Sequence, residues 1–166
     1  MRRSSLLVVA LLVLGACASR SVRTARKMEG RYLTGSPRSD GWQKVSPGGA
    51  DRAWWNPALG ATIYTDSNCG ARFEDGKLSS LADHLFFGLT SAEVLMKETF
   101  NLNGRDAVLS VARGRLDGVW VQVGAVVLNK DACTYDLLYV SSPERYAEGD
   151  PDFRAVFLGF RQEDGK

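Results

Sequence analysis

The chain has 166 residues, of which 45% are hydrophobic and 24% are charged, a composition typical of a globular protein rather than a disordered one. Its formal net charge of +2 gives no support to nucleic-acid binding. The three cysteines form neither a CxxC pair nor a cluster with the single histidine, so we expect no metal site and no cofactor.

The first sixteen residues have the order of a secretory signal. Arg2 and Arg3 precede an apolar run over residues 6–14, which is shorter than the roughly 20 residues that a membrane-spanning helix needs. The sequence Leu14-Gly15-Ala16-Cys17 resembles a bacterial lipobox. This resemblance implies that residues 1–16 are removed as a signal peptide and that Cys17 becomes the lipidated first residue, carrying acyl chains such as palmitate.

Residues 17–40 are predicted to be a basic linker behind this lipid anchor. Residues 18–40 hold six basic and two acidic side chains, whereas residues 41–166 hold thirteen basic and seventeen acidic ones. The linker could lie against anionic lipid headgroups, or it could be a solvated spacer. It is too short and too poor in aromatic residues to indicate a nucleic-acid partner.

Lipidation of Cys17 would leave Cys69 and Cys133 as an even pair in an oxidising compartment. We expect these two residues to form a disulfide. On the chain-entropy model, such a long closed loop would stabilise the fold by about 4 kcal/mol. Two unpaired thiols in the core are the alternative.

The folded domain is predicted to cover residues 41–166 and to begin at Trp42. Two short strands, around Val45 and around Trp54, flank the turn sequence Ser-Pro-Gly-Gly at residues 46–49, and a third follows at residues 61–65. The spacing of leucines over residues 78–89 then predicts a helix, with Ser79 or Ser80 as its cap.

Residues 93–141 are predicted to form four strands in an antiparallel meander. Asn103-Gly104 and Asp117-Gly118 are two-residue hairpin signals, and residues 129–131 form a third turn. The alternation of apolar and polar residues between these turns indicates a sheet with distinct faces.

The C-terminal part returns to helical spacing. Pro143-Glu144 suits a helix start, and Asp150-Pro151-Asp152 suits a second one. The apolar spacing from Phe153 to Phe160 predicts a helix that packs against the sheet. The fold class is therefore α+β: a single antiparallel sheet, made of a meander of about four strands and an N-terminal hairpin, packed against two main helices.

This order of elements, from Trp42 to the closing Phe157-Leu158-Gly159-Phe160, resembles the PsbP-like α/β/α sandwich over about residues 41–162. The fold occurs in a photosystem extrinsic protein, in a nuclear-import factor that binds Ran, and in bacterial lipoproteins. The resemblance implies a domain that binds other proteins rather than one that catalyses a reaction. It assigns no role to a numbered residue.

No catalytic residue is predicted, because His84 has no nucleophile motif to serve. Trp54 and Trp55 are the candidate partner-binding residues. Neighbouring residues in a strand point to opposite faces, so one tryptophan could be in the core and the other exposed; coverage of both is the alternative. Trp120 is expected to lie in the core or beneath a helix.

We therefore expect a lipid-anchored protein of the cell envelope whose domain binds or helps assemble another envelope protein without catalysis. Ala18 and Ser19, rather than an aspartate, follow Cys17, which in a Gram-negative cell favours the outer membrane, on its periplasmic or surface face. A lipid or small-molecule carrier accessory to a transport system is the alternative, with an apolar cavity lined by Phe86, Phe87, Met96 and Trp120. A hydrolase would need His84 beside a serine and an acid. The sequence does not fix the oligomeric state.

Overall fold

The computed structural model describes residues 31–70 and 76–162. Cys17 and the signal and linker residues up to 30 lie outside this part of the chain. The described elements are, in chain order, β1 (Tyr32–Leu33), β2 (Gln43–Val45), β3 (Arg52–Asn56), β4 (Ala61–Cys69), α1 (Leu78–His84), β5 (Thr90–Leu102), β6 (Arg105–Leu116), β7 (Val119–Lys130), β8 (Cys133–Ser141), α2 (Tyr146–Leu158) and β9 (Arg161–Gln162).

Seven of these strands form one antiparallel sheet, in the order β2-β3-β4-β8-β7-β6-β5. The predicted hairpin and the predicted meander belong to this sheet and meet where β4 pairs with β8. The prediction of a single sheet is wrong, because β1 and β9 form a second, two-stranded sheet. Each of these strands has only two residues, too few to leave a recognisable alternating pattern in the sequence.

The predicted meander is confirmed, with β5 to β8 joined by tight turns. Asn103-Gly104 and Asp117-Gly118 have positive φ at both positions, which is the backbone conformation that matches the twist of a hairpin. The third turn lies later than predicted, at Asp131-Ala132, and both of its residues also have positive φ. The strand β7 therefore continues to Lys130.

The two helices lie on opposite faces of the large sheet, which gives three layers. Ala82 of α1 packs against Val108 and Val127. On the other face, Phe153 and Phe157 of α2 join a larger core; its buried sheet residues include Leu109, Val126, Leu128, Tyr135, Leu137 and Tyr139. The α+β class with two helices is confirmed in this form.

The helix α1 ends at His84, five residues before the predicted end. Leu85, Phe86 and Leu89 nevertheless pack on the same sheet face from the following turn, which explains why their spacing looked helical. Lys77, and not a serine, occupies the N-cap position, and its side chain makes no capping hydrogen bond. Packing, rather than capping, therefore positions this short helix.

The helix α2 runs without interruption from Tyr146 to Leu158, with Pro151 inside it. The predicted second start at residues 150–152 is therefore wrong, and so is the start at Pro143, which lies in the preceding turn.

The carboxylate of Asp152 binds the N-terminal part of the described chain instead of capping a helix. It accepts hydrogen bonds from the backbone N–H groups of Arg38 and Ser39 (2.7 and 2.9 Å), from the Ser39 hydroxyl and from the Trp42 indole N–H.

Residues 32–42 form a strap that binds the N-terminal chain to the domain. Tyr32 is only 3% exposed, and its hydroxyl donates a hydrogen bond to Asp51 (2.9 Å) and lies 2.8 Å from the Thr65 hydroxyl. The N–H of Gly35 donates to the carbonyl of Val156 in α2 (2.9 Å). The predicted linker therefore cannot extend to residue 40, because the fold includes the chain from Tyr32 onward.

The disulfide between Cys69 and Cys133 is present, with an S–S distance of 2.02 Å. These two residues lie directly opposite each other at the ends of β4 and β8. Among the described residues, no helix combines the length and the apolar character needed to cross a membrane.

Candidate functional site

The two candidate tryptophans lie on different faces of β3. Trp54 is 8% exposed and belongs to the core beneath α2. Trp55 is 36% exposed on the opposite face, between Gln43 of β2 and Thr62 of β4. Only Trp55 is therefore accessible to a partner, and the pair does not form one surface.

The four residues expected to line a carrier cavity do not lie together. Phe86 is buried on the α1 face, and Phe87 is 78% exposed beside the ring of His84, at 4.7 Å. Met96 and Trp120 belong to the α2 face, and Trp120 is 43% exposed rather than in the core. In the described part of the chain, no hydrogen bond joins His84 to a serine or an acid, so the arrangement that a hydrolase needs is not formed there.

A groove lies between α2 and the strands β5 and β6. The helix packs over the middle of the sheet, whereas β5 and β6 are long strands that extend beyond it. Met96, Val111 and Gln122 line the groove from the sheet, and Tyr146, Ala147 and Arg154 line it from the helix, around a cavity of about 350 Å³. We call this feature the α2 groove.

The α2 groove continues toward the C-terminal end of the helix. A second cavity of about 140 Å³ is lined by Phe100 and Leu109 of the sheet and by Phe157 and Leu158 of α2. Arg154 borders both cavities, so they form one trough along the helix. Leu158 is 60% exposed at its end.

At its other end the groove opens into a polar mouth. Arg113, Trp120, Pro143 and Glu144 line a third cavity of about 350 Å³. Arg113 lies opposite Gln122 in the ladder between β6 and β7, which places this mouth next to the groove. Arg113 forms a salt bridge with Glu93 (3.0 Å), and a second cation, Arg115, stacks on Trp120 at 4.9 Å.

Tyr146 stands at the junction of groove and mouth. It fits against β7 because Gly124 has no side chain: a Cβ there would lie 2.4 Å from the Tyr146 hydroxyl. Burial raises the pKa of this phenol, and the negative charge of Asp150 raises it further. The hydroxyl is buried and has no hydrogen-bond partner among the described residues.

Beside the mouth, the turn between β6 and β7 carries an apolar patch. Val119 is 66% exposed, Leu116 is 42% exposed, and a Cβ placed on Gly88 would lie 3.9 Å from the side chain of Leu116. Phe87, which precedes Gly88 in the chain, is 78% exposed. We call Phe87, Leu116 and Val119 the turn patch. The sequence pattern did not predict this patch, because alternation assigns such residues to a covered face.

The described residues contain no group of His, Cys, Asp or Glu side chains that could hold a metal ion. The groove and its mouth offer contacts for non-covalent recognition: apolar surface, aromatic rings and charges of both signs.

No family model and no curated protein matches this sequence. Solved structures do match its fold. The cyanobacterial PsbP protein CyanoP from Synechocystis sp. PCC 6803 aligns with a TM-score of 0.55 at 14% identity, over 90% of this chain and 99% of that one. LpqN of Mycobacterium tuberculosis, a protein involved in cell envelope biogenesis, aligns with a TM-score of 0.58 at 12% identity, over 81% and 86% of the two chains.

A protein of unknown function from Pseudomonas aeruginosa, PA94, aligns with a TM-score of 0.54 at 11% identity, over 83% and 87% of the two chains. Identities this low establish the fold alone. They support the resemblance inferred from element order: the domain has a PsbP-like fold.

Proposed function

On the premise of a PsbP-like domain, we propose that the protein is a lipoprotein of the cell envelope whose domain binds another envelope protein and helps its assembly without catalysing a reaction. The lipobox ending at Cys17 supports the anchor. The recognition chemistry of the groove, the mouth and the turn patch supports binding. The envelope role of LpqN, a neighbour in fold, agrees with this placement.

One observation carries the proposal: the chain from the anchor enters the domain far from the exposed binding features. Tyr32 contacts Tyr135, with ring centroids 5.1 Å apart, and Tyr135 pairs with Leu128 of β7. Trp120 lies eight residues earlier on the same strand, which corresponds to about 26 Å. A membrane tether that joins the domain at Tyr32 would therefore be attached at the end opposite to the mouth and the turn patch.

The anchor is tested by labelling cells with an alkyne analogue of palmitate. We expect the label on the wild-type chain and its loss in Cys17→Ala, whereas Cys69→Ala keeps it. Export without label on the wild-type chain would refute lipidation. Separation of inner and outer membranes then tests the outer-membrane placement, which follows only from the residues after Cys17.

The partner is tested by photo-crosslinking from intact envelope, with the crosslinking residue placed at Val119 or at Trp55. We expect a discrete adduct of constant mass from at least one of these two exposed positions. Trp54, which is buried, is the matched control and should give none. Absence of any protein adduct from Val119 and Trp55 would remove the assembly role.

A second candidate function, a carrier for a lipid or small molecule, is favoured by the α2 groove, although its lining differs from the four residues expected. The carrier function predicts that a lipid co-purifies with the wild-type protein. Ala147→Trp, which places a large side chain in the groove, should reduce that lipid. Co-purified lipid unaffected by this change would argue against the carrier.

A further inference from the structure

We propose that the α2 groove and its mouth bind a single-chain zwitterionic phospholipid of the lysophosphatidylethanolamine class. The acyl chain would lie in the groove and the head group in the mouth. This inference rests on the carrier function and deepens it, but it does not depend on lipidation of Cys17.

The shape of the groove fits an alkyl chain. From Ala147 to Leu158 the helix rises by about 16 Å, and the two cavities follow it over this length. The sheet side is formed largely by apolar side chains, among them Met96, Phe100 and Leu109. An alkyl chain needs apolar surface and no hydrogen-bond partner, which these sheet residues supply. The Asp150–Arg154 ion pair and Glu98 also line the trough.

The same geometry disfavours an extended peptide in the groove. Beneath it, β5 pairs with β6 along Met96–Leu102, and β6 pairs with β7 along Ala107–Leu116. The backbone groups of β6 are therefore paired on both sides, and those of β5 are paired on the side that faces β6; only the outer edge of β5, the last strand of the sheet, has no neighbouring strand in it. A peptide lying in the groove would bury its own N–H and C=O groups against apolar side chains, at a cost of several kcal/mol.

The mouth carries charges of both signs, which fits a zwitterion. Arg113 and Glu144 line the same cavity, and Glu144 has no ion-pair partner among the described residues. A phosphate can accept the paired N–H groups of Arg113, and an ammonium group can approach Glu144. A purely anionic head group would be repelled by Glu144 and Glu93, and a purely cationic head group would be repelled by Arg113 and Arg115.

Tyr146, between the mouth and the groove, offers a hydrogen-bond donor that suits an oxygen-bearing ligand. Its side chain is more than nine-tenths buried, it lines the groove, and its hydroxyl lacks a partner in the described structure. Leaving a buried donor unsatisfied is costly. In a lysophospholipid, an ester carbonyl joins the head group to the acyl chain. With the head group in the mouth and the acyl chain in the groove, this carbonyl would lie near Tyr146 and can accept a hydrogen bond from its hydroxyl.

The test uses three probes with the same acyl chain, each below its micellar concentration: lauroyl-lysophosphatidylethanolamine, the anionic lauroyl-lysophosphatidic acid and the uncharged monolaurin. Binding to the mature chain with Cys17→Ser is measured by calorimetry, which avoids detergent. We expect the zwitterion to bind about tenfold more tightly than either other probe, as for one charge-assisted contact. Equal binding of monolaurin would overturn the head-group assignment.

Variants locate the site. Arg113→Gln should erase the preference over monolaurin, and Glu144→Gln should erase the preference over lysophosphatidic acid. Ala147→Trp and the exposed Leu158→Glu should weaken the binding of all three probes. Lys44→Gln, on the strand β2 at the other edge of the sheet, should leave this binding unchanged. Unfolding midpoints confirm that each variant is folded, and undiminished binding in both groove variants would place the ligand elsewhere.

The failures of the two proposals can be told apart. If no probe binds while palmitate labels Cys17 and Val119 crosslinks to a protein, the lipid site is refuted and the assembly role stands. If the zwitterion binds as described while Cys17 stays unlabelled, the anchor is refuted and the lipid site stands.

Discussion

The domain has a fastened region, where the strap and the disulfide join it and most side chains are buried, and a mouth region, around the mouth and the turn patch, where apolar side chains are exposed. Among the described residues, buried polar atoms without a hydrogen-bond partner occur in both regions: at Arg52, Tyr135 and Gln162 in the first, and at Tyr146 in the second. Tyr32 has two hydrogen-bonding partners, whereas Tyr146, at similar burial, has none in the described structure. Exposed apolar residues that stability does not require point to recognition. We therefore infer that the fastened region contributes most to stability and that the mouth region is available to bind a partner.

The largest effect is expected from the disulfide in the fastened region. Replacement of both cysteines, Cys69→Ala with Cys133→Ala, should lower the free energy of unfolding by about 4 kcal/mol, because a loop of 64 residues is no longer closed in the unfolded chain. Urea unfolding measures this change. A loss below about 1 kcal/mol would contradict the entropic role that we assign to the disulfide.

The next effect is expected at Asp152. Asp152→Ala should cost about 2 kcal/mol, because it removes a buried carboxylate that accepts hydrogen bonds from Arg38, Ser39 and Trp42. Urea unfolding is again the measurement. Asp150→Ala is the matched control, since it removes only a helix-surface pair with Arg154 and should cost less than about 1 kcal/mol.

Asp152 also makes the stability of the fold depend on pH, in a direction that follows from the lowered pKa of its carboxyl. Burial raises the pKa of its carboxyl, but hydrogen bonds from Ser39, Arg38 and Trp42 outweigh burial and hold this pKa below its ordinary value of 3.8. The ionised carboxylate therefore stabilises the fold above pH 3.8, and this contribution is lost as the pH falls through the lowered pKa. In Asp152→Asn, the free energy of unfolding should therefore change less with pH over that acidic range.

Two tyrosines provide a sharper version of the comparison. Tyr32→Phe removes hydrogen bonds to Asp51 and Thr65 and should cost about 1–2 kcal/mol. Tyr146→Phe removes an unsatisfied hydroxyl and should leave stability unchanged or slightly raised. Equal losses in the two variants, measured by urea unfolding, would show that Tyr146 has a partner in solution.

The smallest stability effect is expected in the turn patch. Val119→Ser and Phe87→Ser should each change the free energy of unfolding by less than about 0.5 kcal/mol, since both side chains are largely exposed. Crosslinking of a partner in the envelope should nevertheless decrease. A stability loss as large as that of Tyr32→Phe would make the patch part of the core.

Periodicity and turn chemistry were sufficient to predict the meander and the N-terminal hairpin, and the even number of cysteines left after Cys17 was sufficient to predict the disulfide. Asn103-Gly104 and Asp117-Gly118 are informative because few residues adopt positive φ. The strap could not be predicted, because its contacts are long-range: Tyr32 meets Thr65, and Arg38 meets Asp152 more than a hundred positions later. A two-residue strand carries no local pattern.

The site was predicted less well than the fold, for a related reason. The alternation of side chains along a strand correctly placed Trp54 and Trp55 on opposite faces. It did not indicate which of these faces is buried against the rest of the domain. The α2 groove depends on where the helix settles over the sheet, and Trp120 is exposed because α2 does not reach it. Such coverage is a property of packing between layers, which local sequence does not encode.

The central claim is that the point where the chain enters the fold, at Tyr32, and the exposed features of the mouth and the turn patch lie at opposite ends of the domain. Photo-crosslinking in intact cells tests it most directly, with the crosslinking residue at Val119 in the turn patch or at Arg31, which is exposed where the chain enters the fold. We predict a discrete protein adduct from Val119 and none from Arg31. A protein adduct from Arg31, with none from Val119, would contradict the account.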